Sequence, residues 1–469
     1  MKARDNVLWF MSTELPGRVR ELISRGELSR AEEEARRLLP SLRGVEKLRL
    51  EFELDRVRRW RLEFPYTLDQ GFEELRREVP DLKREEMEEL LARGCLDHVV
   101  VDGEVRLLRR FVPNAFWLCP ELRRRRRRGK DERLEAARLA LRHRVERVVE
   151  AARELGGGHV LPLRYRVRAE LRVKPGVVPE GEVVRVWIPL PRVCELHPQV
   201  RVLSAEPEPA RIAPEDHPQR TAYFELVMGK EGASCSIEYE FIARGFYSEV
   251  DPREAYVDEG SEVYEEYTSE RPPHISFTPS LVELARRIVG GEENPYLKAK
   301  RIWGWITSNI RYTYARDYAL YDNISEYVAR ERRGDCGMQA LLFITLCRIA
   351  GIPARWQSGW YMNPVRHGMH DWAQFYVEPY GWLYADPSFG NRRHREDWRT
   401  DFYFGGIEGY RMAPNVEISA QFDPPKEHFR SDPVDSQRGE VEWRGGNLYY
   451  DKWDFELKVL EVESLEERG

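Results

Sequence analysis

Along roughly the first 155 residues, apolar side chains recur at three- and four-residue intervals among charged ones, which predicts helices. Residues 29–39 read as one, with Ser29 as its N-cap and acids in the first turn. Residues 83–93 read as a second, stopped by Gly94. A hairpin over 97–109 should then turn at Asp102-Gly103. A long helix is expected over 131–155, with Leu134, Ala137, Leu141, Val145 and Val148 on its apolar positions and Gly156-Gly157-Gly158 as its stop. From about Pro162 to Tyr247 the period drops to two. Segments 164–173, 182–188, 222–227 and 235–242 read as strands of a small antiparallel sandwich. An acidic, aromatic linker leads to two helices, 280–289 and 296–310. A nearly all-apolar helix follows from Cys336 to about Ile349, closed by Gly351 and Pro353. Segments 372–377 and 382–385 form a predicted hairpin, and 447–450 and 455–459 are the clearest strands of the tail.

The chain is therefore expected to be multidomain α+β. Its divisions are a helical N-terminal region (1–160), a β-sandwich-like domain (161–250), a linker (251–277), a core (278–392) and a β-rich C-terminal extension (393–469) packing on that core. A length of 469 residues fits several domains better than one core. No run of 18 apolar residues exists, so no membrane span is expected. The first 16 residues carry Arg4 and Asp5 and do not read as a signal peptide, which points to the cytoplasm. A formal net charge of −6 argues against a dedicated nucleic-acid binder. The six arginines from Arg123 to Arg128 lack interleaved aromatics and read as a solvated face. The six cysteines are scattered without metal-type pairs, so reduced thiols and no metal or cofactor are expected.

The chemistry concentrates in three short stretches. Gly334-Asp335-Cys336-Gly337 places a thiol where a loop becomes the buried helix, so the helix dipole should lower its pKa and its backbone N–H groups can receive an oxyanion. Cys347, eleven residues on, reads as a core residue. His370 precedes the first strand of the hairpin and Asp386 follows the second. A hairpin centred between Pro379 and Tyr380 would pair Asp386 with Ala373 and put His370 and Asp386 on opposite faces. Their contact requires an odd-length loop or a bulge. A nucleophile, a base and an orienter of the base are the requirements of thiol-dependent acyl transfer. His367 reads as a loop residue without a role.

These stretches resemble the transglutaminase-like superfamily of papain-like cysteine enzymes. The matching pieces are 333–337, 348–355 with its Gly351-Ile352-Pro353-Ala354-Arg355 turn, His370-Asp371-Trp372 and 381–387. The resemblance covers roughly 280–390 and is strongest to bacterial transglutaminase-domain proteins. It implies a papain-like core, in which a central Cys helix packs on an antiparallel sheet bearing His and Asp. It also implies a triad of Cys336, His370 and Asp386. Tyr312 corresponds to the region that supplies an oxyanion donor in animal transglutaminases, and Trp360 and Trp372 are candidates to line an acyl cleft. Arg411 and Asn415, in a further piece of the bacterial pattern, are candidates to reach it. The expected activity is hydrolysis of a peptide or amide through a thioester. Transfer to an amine acceptor and a non-catalytic interaction protein on the same fold are the alternatives. A peptide or protein substrate is the expected partner, without nucleic acid or membrane.

Overall fold

The computed structural model describes residues 6–127, 131–390 and 401–465. The expected boundary at 392/393 and Arg128 of the arginine run lie outside them. In the N-terminal third, the helices Gly44–Glu63, Leu68–Glu78, Glu86–Ala92, Phe111–Leu118 and Pro120–Arg125 gather around a hairpin of His98–Val101 and Glu104–Leu107. Phe72, Leu75, Leu107, Phe111 and Leu122 form a core of their own there. The hairpin turns at Asp102 and Gly103, both at positive φ, as a two-residue turn requires. The helix expected from Ser29 instead begins at Leu28 with no side-chain cap. Ser29 donates from its backbone N and its hydroxyl to Asp102, which fastens the helix to the hairpin. Of the arginine run, Arg123, Arg124, Arg126 and Arg127 are exposed, while Arg125 pairs with Asp81 and Glu86, and Arg126 with Glu78. The expectation of six reduced thiols is corrected for one pair. Cys95 and Cys119, 5.6 Å apart at Cα, are joined by a disulfide because the fold brings both into the same small core.

The alternating segments form two antiparallel sheets that share one core. One places Ala233–Tyr247 between Gly158–Val173 and Val200–Glu206; the other places Val183–Pro189 beside Thr221–Val227. The tail does not pack as a single extension on the segment that carries Cys336, His370 and Asp386. Phe404–Gly405 and Arg411–Asn415 join the sheet of that segment, whereas Glu440–Trp443 pairs with Val183–Pro189 and Trp453–Ser464 with Gly158–Val173. The physical reason is edge pairing: each strand of the tail supplies ladder partners to an edge that would otherwise expose its N–H and C=O groups.

The remaining layer is a five-stranded antiparallel sheet in the order Phe404–Gly405, Gly381–Ala385, Gly368–Val377, Ala354–Tyr361, Arg411–Asn415. The helix Cys336–Ile349 lies on one face of it and is buried from Cys336 through Arg348. Phe343 meets Phe375 across that face, with ring centres 6.0 Å apart. The hairpin pairs Val377 with Gly381 and Ala373 with Ala385, leaving a three-residue loop, Glu378 to Tyr380. This is the odd-length connection that lets His370 and Asp386 share a face. No helix among the described residues is long and apolar enough to cross a membrane.

Candidate active site

Cys336 occupies the first position of its helix. Asp335 caps it by accepting the Met338 N–H at 3.1 Å, and Tyr318 donates its hydroxyl to the same carboxylate at 2.6 Å. The turn before the thiol is braced by a short parallel pairing, Arg311 with Arg333 and Tyr312 with Gly334. A Cβ at Gly337 would collide with Tyr318, Asp371 and Trp356, so only glycine admits the sheet this close to the helix start. The thiol donates to Asp371 Oδ2 at 3.3 Å. Gln437 holds the other oxygen of Asp371 at 2.5 Å. Around them opens a cavity of about 330 Å³ that Cys336 and Asp371 line with Tyr312 and Tyr318 from the core, Arg110 from the N-terminal region and Asp435 from the tail.

His370 is on the other face of the same strand. Its Nε2 lies 2.7 Å from Asp386 Oδ2, and its ring packs against Phe389 and Trp372. Asp386 is also 2.9 Å from Arg411 Nη1 and accepts from the Ser388 hydroxyl and the Phe389 N–H. Arg411 in turn grips Glu408 with two bonds, at 2.7 and 3.0 Å. The expected triad is thus divided. The structure brings His370 and Asp386 together and places Asp371, not His370, against Cys336. The cause is strand alternation: adjacent residues project to opposite faces, so Cys336 can meet only one of the two. The helix meets Asp371 through Cys336 and Phe375 through Phe343, on the more apolar parity of 371–377, which sends His370 away.

The electrostatics of the two halves differ. Burial, and then the Asp371 and Asp335 carboxylates, push the Cys336 thiol well above its ordinary pKa, which overrides the expected lowering by the helix dipole. Asp371 is itself raised well above the carboxylate range by burial and then by Asp435 and Asp335. Burial would raise Asp386 too, but the charges of His370 and Arg411 outweigh it and hold Asp386 below the usual range. Tyr312 lines the thiol cavity, as an oxyanion candidate must, with its hydroxyl raised well above 10 by burial and by Cys336. Trp360 and Trp372 do not line it. Trp360 donates to the Gln437 carbonyl at 2.7 Å, and Trp372, fully buried, donates to Gln357 at 2.7 Å. Trp372 thereby satisfies a buried indole N–H inside the core and shares His370's face, whereas Trp360 is half-buried against the core. Arg411 reaches Asp386, whereas Asn415 spans Ser358 and Ser436. Cys347 is wholly buried, and His367 lies near the Leu457 carbonyl. The sequence reading missed Asp371, Tyr318, Asp435 and Gln437. For Asp371 a signal existed in the parity of 369–377; for the last two none did, because they arrive from a distant segment.

Residues 282–387 match the transglutaminase-like superfamily. The transglutaminase-like segment holds Cys336, Asp371, His370 and Asp386, while Arg411 falls outside it. A curated relative, the uncharacterized protein YebA of Bacillus subtilis (strain 168), is 25% identical over 150 residues; the match covers 27% of this chain and 20% of YebA. The chain thus spans about a fifth of that relative's length. Among solved structures, a candidate cysteine protease of Cytophaga hutchinsonii is 16% identical, with 66% of this chain and 92% of that one covered and a TM-score of 0.43. The periplasmic domain of TgpA from Pseudomonas aeruginosa is also 16% identical, with 53% and 94% covered and a TM-score of 0.26.

Proposed function

We propose that this chain is a thiol-dependent amide hydrolase with Cys336 as its nucleophile. The observation that carries this reading is the Cys336 thiol at a helix start, 3.3 Å from a carboxylate and lining a cavity large enough for a peptide segment. Attack of sulfur on an amide carbonyl would release the amine and leave a thioester, which water then cleaves. The backbone N–H groups of the helix start, with the Tyr312 hydroxyl, are the proposed oxyanion donors. Asp371 is the group in place to accept the thiol proton. Burial, then Asp435 and Asp335, raise its pKa well above the carboxylate range, which favours its taking a proton. His370, oriented by Asp386 and Arg411, is the base that family resemblance assigns. It could take that role only if its strand presented the opposite parity to the helix.

The division of His370 from Cys336 favours a second reading, a non-catalytic interaction protein on the same fold. One experiment separates them: wild type and Cys336→Ala incubated with a peptide library, with and without a primary amine. Cleavage by the wild type alone supports the hydrolase. Amine-dependent crosslinking without cleavage supports a transglutaminase, and equal behaviour of the two proteins supports the interaction protein. The Cys95–Cys119 disulfide speaks for an oxidising compartment over the cytoplasm expected from the first residues, because such bonds persist where thiols are not kept reduced.

A further inference from the structure

The N-terminal helical region is no bystander at the thiol cavity. The helix Phe111–Leu118 buries Asn114 completely, and that side chain makes three hydrogen bonds into its surroundings. Its carbonyl oxygen accepts the Tyr314 N–H at 2.7 Å, and its amide donates to the Tyr314 carbonyl at 2.9 Å and to Asp97 Oδ2 at 2.6 Å. The other oxygen of Asp97 accepts from Arg333. Tyr314 and Arg333 belong to the two segments that brace the thiol. Arg311 and Tyr312 pair with Arg333 and Gly334, and the Thr313 N–H donates to the Gly334 carbonyl. Asp97 and Asn114 thus hold both sides of the turn that ends at Cys336. The stretch before Asn114 also supplies Arg110 to the cavity, with its guanidinium 3.7 Å from the Tyr314 ring centre.

We infer that Asn114, backed by Asp97, is a positioning residue that sets the Tyr312–Tyr314 wall against the Cys336 turn. The inference rests on the hydrolase reading for its catalytic consequence, but the clamp itself is a statement about two chain segments. An Asn side chain that bonds both backbone groups of one residue replaces a missing strand partner. Losing it takes these partners from the N–H and C=O of half-buried Tyr314. The wall should then move relative to the thiol while the sheet beneath stays in place.

The test compares wild type, Asn114→Ala, Asp97→Asn, Asp97→Glu and a control in the same region, Glu74→Gln, whose partner Arg77 is exposed. Two readouts need no substrate: amide hydrogen exchange of 311–318 and 333–338, and the pH profile of Cys336 alkylation by iodoacetamide. Asn114→Ala and Asp97→Asn are expected to speed exchange in both segments at least tenfold and to shift the alkylation profile. Asp97→Glu should restore most of both, and the control should change neither. On any peptide the wild type cleaves, kcat should fall at least tenfold with KM changing less. Faster exchange confined to residues 60–127, with an unmoved alkylation profile, overturns the clamp. A wild type without cleavage defeats the hydrolase reading while leaving the exchange and alkylation outcomes to decide the clamp. If Asn114→Ala fails to fold, Asp97→Asn decides it, since Asp97 is less deeply buried.

Discussion

At the scale of single residues, the contest is between two neighbours, His370 and Asp371. Asp371 touches the thiol and raises its pKa, second only to burial. Replacing it with Asn removes a like charge, so the midpoint of Cys336 alkylation should move to lower pH. If Asp371 is the base, turnover should fall by about 10²–10⁴-fold at the same time, the usual weight of a general base. His370→Gln should leave the alkylation midpoint unmoved, because His370 faces Asp386 and Arg411. A measurement with the opposite pattern, a profile that responds to His370→Gln and ignores Asp371→Asn, would mean that the working strand shows its other parity to the helix.

At the scale of elements, the tail strand Arg411–Asn415 is what holds the His370 side together. It lies along Ala354–Tyr361 with a register shift between Ser358 and Trp360. Gly359 sits in that irregularity at φ 153°, where a Cβ would run into the Met412 carbonyl and Pro414. Gly359→Ala should push the strand outward and draw Arg411 off Asp386, at a cost of about 1–3 kcal/mol from overpacking alone. Thermal denaturation should show a lower midpoint, and a variant as stable as wild type would mean that the edge yields without strain. The same reasoning explains why the predicted C-terminal extension is dispersed. Trp453–Ser464 contains the strand read over 455–459, 447–450 is strand only to Leu448, and Phe404–Gly405, Arg411–Asn415 and Glu440–Trp443 were not read, while pairing partners 200 and more residues away cannot be read from local alternation. Asp371 was closer to legible. Met369, Asp371, Ala373, Phe375 and Val377 form the parity an apolar helix would choose, and the chemical prominence of the histidine obscured it.

At the scale of the whole molecule, the layers are locked by buried neutral histidines. The His197 ring sits 3.0 Å from the Ile242 carbonyl through Nδ1, and its Nε2 accepts the Ala413 N–H at 3.0 Å, joining the sandwich to the core sheet. Those partners define a neutral ring with its proton on Nδ1. Burial pushes His197 down to about 4 and His159 and His274 down to about 3. For each, the folded pKa lies below the unfolded value. The stability they confer is therefore complete above about pH 6.5 and is lost as pH falls toward the folded values, at about 1.4 kcal/mol per pH unit for each group. Thermal midpoints should drop between pH 6.5 and 4, and His197→Gln should flatten part of that slope. A slope identical to wild type would remove His197 from the account. The N-terminal region adds its own locks, through Arg59, whose buried guanidinium bonds Asp55, Asp317 and the Ser431 carbonyl.

By itself the amino-acid sequence determined what depends on neighbours along the chain. The helix at Cys336, the hairpin that follows and the odd loop that unites His370 with Asp386 all rest on period, stop residues and turn length, which act within a few residues. Only the tertiary structure decided which face of the histidine strand meets the helix, that Cys95 and Cys119 lie close enough to bond, and that the thiol cavity is walled by segments from both ends of the chain. Alternation offers two faces and does not rank them. The ranking comes from burying the most apolar surface across distant elements, and that sum exists only once they have come together.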